Sequence, residues 1–223
     1  LIERAFGADF ERVVTVARTG DRLASFGAHG SAGALCQSNP VTPDHVIRTK
    51  GPYLYLGSNE LRDPDRIRRE VAAYGVRYRR YYEGHCRALS PQHMHAPLPV
   101  VAVLAGVGLV ALHRDRKAAA IAADIAERTV AVKAAAHALG AYTPLADAEL
   151  AEMEYWPLEL AKLGKQSAPP LQGQVALVTG AAGAIGKGIA EVLLEQGACV
   201  LLTDVDGERL AKVEAGFAAQ RGR

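Results

Sequence analysis

The residues best suited to chemistry are three glycines and an acid that follows them. Gly180, Gly183 and Gly186 are spaced three residues apart, and Asp204 lies 18 residues beyond Gly186. Gly180 allows a tight turn, Gly183 leaves room for a diphosphate against the backbone, and Gly186 allows close helix packing. A carboxylate at the position of Asp204 can accept both ribose hydroxyls of an adenosine and repels a 2′-phosphate. The spacing therefore predicts a dinucleotide site that prefers NAD to NADP.

The elements around the glycines are the ones that such a site requires. The continuous apolar run Val175–Val178 predicts a strand buried on both faces of a parallel sheet. A helix follows and ends at Gly197, and a second apolar run, Cys199–Leu202, leads to Asp204. The helix is expected to place three apolar residues on one face: Ile189, Val192 and Leu193. A structural glycine turn in another α/β protein is the alternative, and the agreement of strand, turn, helix and acid disfavours it.

Residues 1–165 predict a further series of strands and helices. Strands are predicted at Val13–Ala17, Tyr53–Leu56, Val100–Leu104 and Leu109–Leu112. Helices are predicted from Asp63 to about Glu83, from Lys117 to Leu139 and from Asp147 to about Leu163. Thr42 is predicted to cap a short helix that starts at Pro43, and the Gly- and Ser-rich stretch Arg18–Asn39 is predicted to be mainly loop. The polar, proline-containing stretch Lys165–Pro170 predicts a boundary between domains at 1–165 and 171–223.

Composition limits the class of protein. The chain has 223 residues, 49% apolar and 22% charged, with a formal net charge of +2, which is ordinary for a globular protein and predicts no nucleic-acid partner. No apolar run reaches the roughly 18 residues that span a bilayer, so no membrane segment is expected. The three cysteines, Cys36, Cys86 and Cys199, fit neither a disulfide framework nor a zinc knuckle. A reducing, cytoplasmic location is the simplest interpretation.

The stretch Leu171–Leu210 resembles the short-chain dehydrogenase/reductase family. Thr179, Gly180 and Gly186 match that family's glycine motif, whereas Ala184 replaces its middle glycine, so the extended, epimerase-like variant fits equally well. The resemblance implies that Ala182, Ile185 and Val205 also line the dinucleotide.

The family's catalytic residues do not occur in this chain. That chemistry uses a Ser and a Tyr-x-x-x-Lys pair, in which the lysine lowers the tyrosine pKa so that the tyrosinate accepts the alcohol proton. None of the eight tyrosines has a lysine four residues later. We expect the catalytic residues to lie beyond Arg223, and residues 1–223 alone to be unable to transfer hydride.

Three earlier segments resemble bifunctional fusions of a class II aldolase with a short-chain dehydrogenase. They are Thr42–Lys50, Ala122–Thr129 and Met153–Leu163. The resemblance implies the C-terminal part of a class II aldolase-like α/β domain, followed by the first βαβ unit of a Rossmann domain. It also implies cleavage of rhamnulose 1-phosphate and oxidation of lactaldehyde. The aldolase zinc, held by histidines, would have its ligands mostly before Leu1, and Val107 stands where a class II aldolase carries a histidine.

The histidines of this chain suggest no metal site by spacing alone. His93 and His95, with His85 and Cys86 nearby, could hold a metal in principle, but a proline-flanked loop lacks the rigid support that metal ligands need. They are interpreted as surface histidines. His45, beside Asp44 at a predicted helix start, fits a structural hydrogen bond better than a substrate contact, although both stay open.

Three functional hypotheses follow. The chain is part of an NAD-dependent dehydrogenase fused to a sugar-phosphate aldolase, or an extended short-chain dehydrogenase with an unrelated first domain, or a non-catalytic NAD-binding or assembly module. A downstream Tyr-x-x-x-Lys distinguishes the first two from the third, and upstream paired histidines distinguish the first from the second. A small-molecule substrate and a homo-oligomer are expected.

Overall fold

The fold was analysed in a computed structural model, which describes residues 13–90, 94–161 and 169–221. The chain divides into two compact units. Unit 1 consists mainly of residues 15–113 and 117–165, and unit 2 consists mainly of residues 166–223.

Unit 1 contains a four-stranded mixed sheet. Its strands are β1 (Val14–Thr19), β2 (Leu54–Leu56), β3 (Val101–Leu104) and β4 (Gly108–His113). Their order in the sheet is β1-β4-β3-β2, with β2 parallel and β4 antiparallel to β3. All four predicted strands are therefore confirmed to within two residues. A tight turn connects β3 and β4, and Gly106 in this turn has a φ of 72°.

The described part of unit 1 also contains seven α-helices. They are α1 (Asp21–Ala28), α2 (Ala32–Gln37), α3 (Val46–Thr49), α4 (Pro64–Tyr81), α5 (Arg116–Leu139), α6 (Asp147–Glu154) and α7 (Pro157–Ala161). The long helix α5 buries a row of alanines, Ala119, Ala122, Ala123 and Ala126, in the same core as Val101 and Val103 of β3. Small side chains on this face let the helix approach the sheet closely.

Helix α4 begins as predicted, directly after Asp63. The carboxylate of Asp63 accepts hydrogen bonds from the backbone N–H of Asp65 at 2.9 Å and of Arg66 at 3.4 Å, so it caps the helix. The helix ends at Tyr81 and continues as a π-helical turn, Tyr82–Cys86. Its apolar residues recur at spacings of three and four and are buried: Ile67, Val71, Tyr74, Tyr78 and Tyr82.

Three predictions for unit 1 were wrong. The stretch Arg18–Asn39 is not mainly loop, because it contains the end of β1 and the helices α1 and α2. The helix predicted from Asp147 to Leu163 ends at Glu154 and resumes at Pro157, because proline cannot donate a hydrogen bond within a helix. Leu163 lies outside the described residues. A short 3-10 helix does start at Pro43, but the side chain of Thr42 makes no capping hydrogen bond.

Unit 2 is a β-α-β-α arrangement. Its elements are β5 (Val175–Thr179), α8 (Ala184–Glu195), β6 (Cys199–Thr203) and α9 (Gly207–Arg221). The two strands are parallel, and Val175 pairs with Cys199 and Thr179 with Thr203. One face of the sheet carries the core, in which Val178, Ala181 and Ala190 pack with Phe217. Parallel pairing places Thr179 and Thr203 at the same edge, so the residues after both strands meet there.

The burial predicted for β5 is wrong. Val175 and Leu177 are 61% and 67% exposed, and Leu201 of β6 is 57% exposed, because α8 and α9 contribute to a core on one face only. The predicted inner face of α8 is also incorrect in part. Ile189 and Val192 are about half exposed, and Gly186 and Ala190 are the buried residues of the helix.

The described residues contain no helix that is both long enough and apolar enough to cross a membrane.

Candidate nucleotide-binding site

The glycine turn lies between β5 and α8. Gly180 has a φ of 65°, a left-handed conformation that glycine adopts without a steric penalty. The N–H of Gly183 donates to the carbonyl of Gly180 at 3.0 Å, and the N–H of Ala181 donates to the carbonyl of Thr203 in β6 at 3.1 Å. The turn is thus closed on itself and attached to the end of the neighbouring strand.

Gly186 is required by its contact with this turn. A Cβ atom at Gly186 would lie 2.2 Å from the carbonyl oxygen of Gly180 and 2.9 Å from the Cα of Ala181. Both of these atoms belong to the backbone, so neither can rotate away as a side chain could. The absence of a side chain at Gly186 therefore brings the first turn of α8 directly against the glycine turn.

The start of α8 is suited to an anion. Gly183 occupies the N-cap position, and no acidic residue lies in the first turn of the helix. The first N–H groups of an α-helix have no acceptor within the helix, and the helix dipole adds a partial positive charge there. A diphosphate at this point would meet backbone donors, and the first turn of the helix itself carries no acidic residue to repel it.

Asp204 follows β6 at the same edge of the sheet and contacts the glycine turn. Its Oδ2 accepts a hydrogen bond from the N–H of Ala182 at 2.8 Å, and its Oδ1 accepts one from the N–H of Asp206 at 3.0 Å. These backbone donors, Asp206 first and then Ala182, hold the pKa of Asp204 below its usual value. Because an ionised carboxylate has about four acceptor positions, two remain for the hydroxyls of a ribose.

Two further residues that the resemblance implies lie at the surface of this site. Ile185, at the start of α8, is 81% exposed, and Val205, next to Asp204, is fully exposed. Exposed apolar side chains beside a polar turn are suited to contact an adenine ring or a ribose face. The seven predicted residues therefore occupy one edge of unit 2: Gly180, Ala182, Gly183, Ile185, Gly186, Asp204 and Val205. Their arrangement is suited to the diphosphate and adenosine ribose of a dinucleotide.

Unit 1 contains a buried polar network that the sequence did not indicate. The hydroxyl of Tyr78 donates to the Oε1 of Glu154 at 2.6 Å and lies 2.9 Å from the hydroxyl of Tyr155. The Tyr155 hydroxyl accepts a hydrogen bond from the backbone N–H of His95 at 3.2 Å. Glu154 is fully buried, and this burial raises its pKa. No sequence spacing links these residues, because Tyr78 and Glu154 are 76 positions apart.

Lys50 joins this network from the segment Thr42–Lys50. Its Nζ atom lies 4.0 Å from the centre of the Tyr78 ring and donates to the carbonyls of Ala96 and Leu98. Burial lowers the pKa of Lys50 to about 8. Among the described residues, Lys50 alone has a positive φ without being glycine. Lys50 on one segment and Glu154 and Tyr155 on another, which are far apart in the sequence, thus meet around Tyr78.

The valine and histidines that the sequence analysis considered as possible site residues have the following places in the structure. Val107 lies in the turn between β3 and β4 and is half exposed. His45 is partly buried, and its Nδ1 atom has no hydrogen-bond partner within the described part of the chain, so the predicted structural hydrogen bond is not seen. His93 lies outside the described residues. Within residues 13–90, 94–161 and 169–221, no three His, Cys, Asp or Glu side chains are grouped to hold a metal ion.

Two family models match the chain along its length. The model described as aldolase class II, second domain, matches residues 2–163, and the short chain dehydrogenase model matches residues 174–223. The uncharacterized oxidoreductase YuxG of Bacillus subtilis (strain 168) is 31% identical over 202 residues, which cover 86% of this chain and 29% of YuxG. The chain therefore spans less than a third of that relative.

A solved structure is also similar in part. YgbL from Escherichia coli, provisionally described as an aldolase/epimerase/decarboxylase, aligns with 63% of this chain and 56% of its own, at 19% identity and a TM-score of 0.40.

The two units together define an α/β protein in which an aldolase-like region precedes a dehydrogenase-like β-α-β-α unit. The chain belongs to the class II aldolase second-domain family, and its residues 174–223 match the short chain dehydrogenase model. Both resemblances found in the sequence, and the predicted fold class, are thereby confirmed.

Proposed function

We propose that unit 2 supplies the adenosine and diphosphate part of an NAD site. The observation that carries this proposal is the meeting of Asp204 with the glycine turn at one edge of a parallel sheet. An ionised carboxylate beside the expected ribose position favours two free hydroxyls and repels a 2′-phosphate, so NAD is preferred to NADP.

The parent protein, on this proposal, oxidises a small aldehyde of the lactaldehyde type in the cytoplasm. The aldolase-family region would generate that aldehyde by cleavage of a deoxy-sugar phosphate such as rhamnulose 1-phosphate. The support is the order of the two family regions along one chain and the printed description of YuxG as an oxidoreductase. A zinc ion in a preceding aldolase region, a small-molecule substrate and a homo-oligomer stay predictions.

The test measures dissociation constants for NAD and NADP in the full-length parent protein, called the intact protein below, and in its Asp204→Ala variant. We expect roughly tenfold to hundredfold weaker NAD binding, because a hydrogen bond to a charged group contributes about 1.5–3 kcal/mol. We expect a smaller change for NADP. Glu208→Ala is the matched control, since Glu208 is an exposed acid in the first turn of α9. Unchanged affinity of Asp204→Ala for both dinucleotides would rule out this role of Asp204.

A further inference from the structure

Asp204 makes a contact that ribose recognition does not require. One of its oxygens is hydrogen-bonded to the N–H of Ala182, in the middle of the glycine turn. Its other oxygen is hydrogen-bonded to the N–H of Asp206, just before α9. The same side chain therefore joins the turn after β5 to the chain after β6.

This contact acts where the turn has little other support. Gly180 and Gly183 have no side chains, and glycine residues lose more conformational entropy on ordering than any other residue. The backbone bond from Ala181 to Thr203 fixes the start of the turn, and the bond from Gly183 to Gly180 closes it. The N–H of Ala182 lies between these two points, and the carboxylate of Asp204 is its acceptor.

We infer that Asp204 is a positioning residue for the diphosphate as well as the acceptor of the ribose hydroxyls. It holds the Ala182 peptide so that the glycine turn has its binding shape before a nucleotide arrives. Preorganisation of this kind increases affinity because the ordering cost is met during folding. The inference rests on the proposed nucleotide site and assigns Asp204 a second role within it.

The two roles use different parts of the carboxylate. Each oxygen has about two acceptor positions, and each uses one for a backbone N–H. One position per oxygen stays open for a ribose hydroxyl, so ribose binding does not require the contact with Ala182 to break. The ribose contact and the shape of the diphosphate turn are therefore coupled through one side chain.

A nucleotide without ribose hydroxyls separates the two roles. We would measure the affinity of the intact protein for ADP and for 2′,3′-dideoxy-ADP, in the wild type, Asp204→Ala and Glu208→Ala. If Asp204 positions the turn, Asp204→Ala lowers the affinity for dideoxy-ADP roughly tenfold, which is the effect of one charge-assisted hydrogen bond. The affinity for ADP falls by more, because the ribose contact is lost as well. Glu208→Ala, which removes a nearby charge but no contact with the turn, leaves both affinities within about twofold.

Amide hydrogen exchange supplies a readout that is independent of nucleotide binding. In Asp204→Ala the N–H of Ala182 should exchange at least about tenfold faster, while Ala190 in the interior of α8 keeps its protection, which excludes general unfolding. Unchanged dideoxy-ADP affinity together with unchanged Ala182 exchange overturns the positioning role. A wild-type protein that binds neither ADP nor NAD overturns the proposed function instead, and selective loss of Ala182 protection would then still support the contact.

Discussion

The ammonium group of Lys133 donates hydrogen bonds to both the carbonyl and the hydroxyl oxygen of Ser38, at 2.8 and 2.9 Å. A third bond, of 2.9 Å, reaches the carbonyl of Leu35. Lys133 is only 1% exposed, and its three bonds satisfy oxygens at the end of α2. A cation at the C-terminal end of a helix also interacts favourably with the helix dipole. A residue of α5 thus fixes a helix that the sequence did not predict.

Replacement of Lys133 by methionine should destabilise unit 1. The variant keeps an unbranched side chain of similar length but leaves the carbonyls of Leu35 and Ser38 without this donor, which should cost about 2–4 kcal/mol. Trp156 is the one tryptophan of the chain and lies in unit 1, so its fluorescence follows the urea unfolding of that unit. Lys117→Met, at an exposed position of α5, should change the free energy of unfolding by less than about 0.5 kcal/mol. Equal effects of the two variants would contradict this role of Lys133.

The burial of Lys133 also predicts a pH dependence. Burial lowers its pKa from 10.5 to about 8, so between these values the unfolded chain binds more protons than the folded one. Stability then rises with pH across this window. The wild type should gain stability relative to Lys133→Met as the pH rises from 7.5 to about 10, by at most about 3 kcal/mol at 1.36 kcal/mol per pH unit. Urea unfolding of both proteins at several pH values measures this gain, and a constant difference between them would argue against it.

The polar network around Glu154 predicts different effects for two neighbouring tyrosines. Tyr78→Phe removes the donor to a fully buried carboxylate and should lower the free energy of unfolding by about 2–3 kcal/mol. Tyr74→Phe is the matched control, because the Tyr74 hydroxyl is buried and has no hydrogen-bond partner among the described residues. That variant should be neutral or slightly stabilising. Urea unfolding followed by Trp156 fluorescence compares them, and a larger loss for Tyr74→Phe would show that the network is assigned incorrectly.

The glycine turn predicts a contrast between two glycines of α8. Gly186→Ala forces a Cβ atom against the backbone of Gly180 and should weaken ADP binding by the intact protein by roughly fivefold to a hundredfold, since overpacking costs about 1–3 kcal/mol. In Gly188→Ala the added Cβ atom has no heavy atom within 4 Å outside its own helix backbone. This variant should leave ADP affinity unchanged and stabilise the helix by up to about 1 kcal/mol. Calorimetric titration with ADP decides between them, and similar affinities for the two variants would exclude the close-packing role of Gly186.

Local signals explain which elements could be predicted. The strand, glycine turn, helix and acid of unit 2 lie within 30 residues, and each has a pattern of its own, so β5, α8 and β6 follow from the sequence. Helices α1 and α2 were missed because they are short and each buries only three residues: Leu23, Phe26 and Gly27 in α1, and Ala32, Leu35 and Cys36 in α2. The intrinsic propensity of such segments is weak, and tertiary packing stabilises them.

Contacts between distant residues explain which polar interactions of unit 1 the sequence did not reveal. The pairing of Tyr78 with Glu154 and of Lys133 with Ser38 depends on the packing of different helices, and single-sequence spacing has no information on it. The exposed residues of β5 were missed for a related reason. An apolar run predicts that a strand can be buried on both faces, whereas the packing partners of Leu177 and Leu201 determine whether it is.

The same exposed face predicts how residues 1–223 behave alone. A sheet of two strands is marginal in stability, and Val175, Leu177 and Leu201 leave apolar surface in water. We therefore expect residues 1–223 to bind NAD with a dissociation constant above about 1 mM, and to bind an apolar fluorescent dye such as ANS. The intact protein, titrated in the same calorimeter, serves as the control and should bind NAD more than tenfold tighter. A micromolar dissociation constant for residues 1–223 would mean that the two strands and two helices of unit 2 hold the glycine turn and Asp204 in place without further packing.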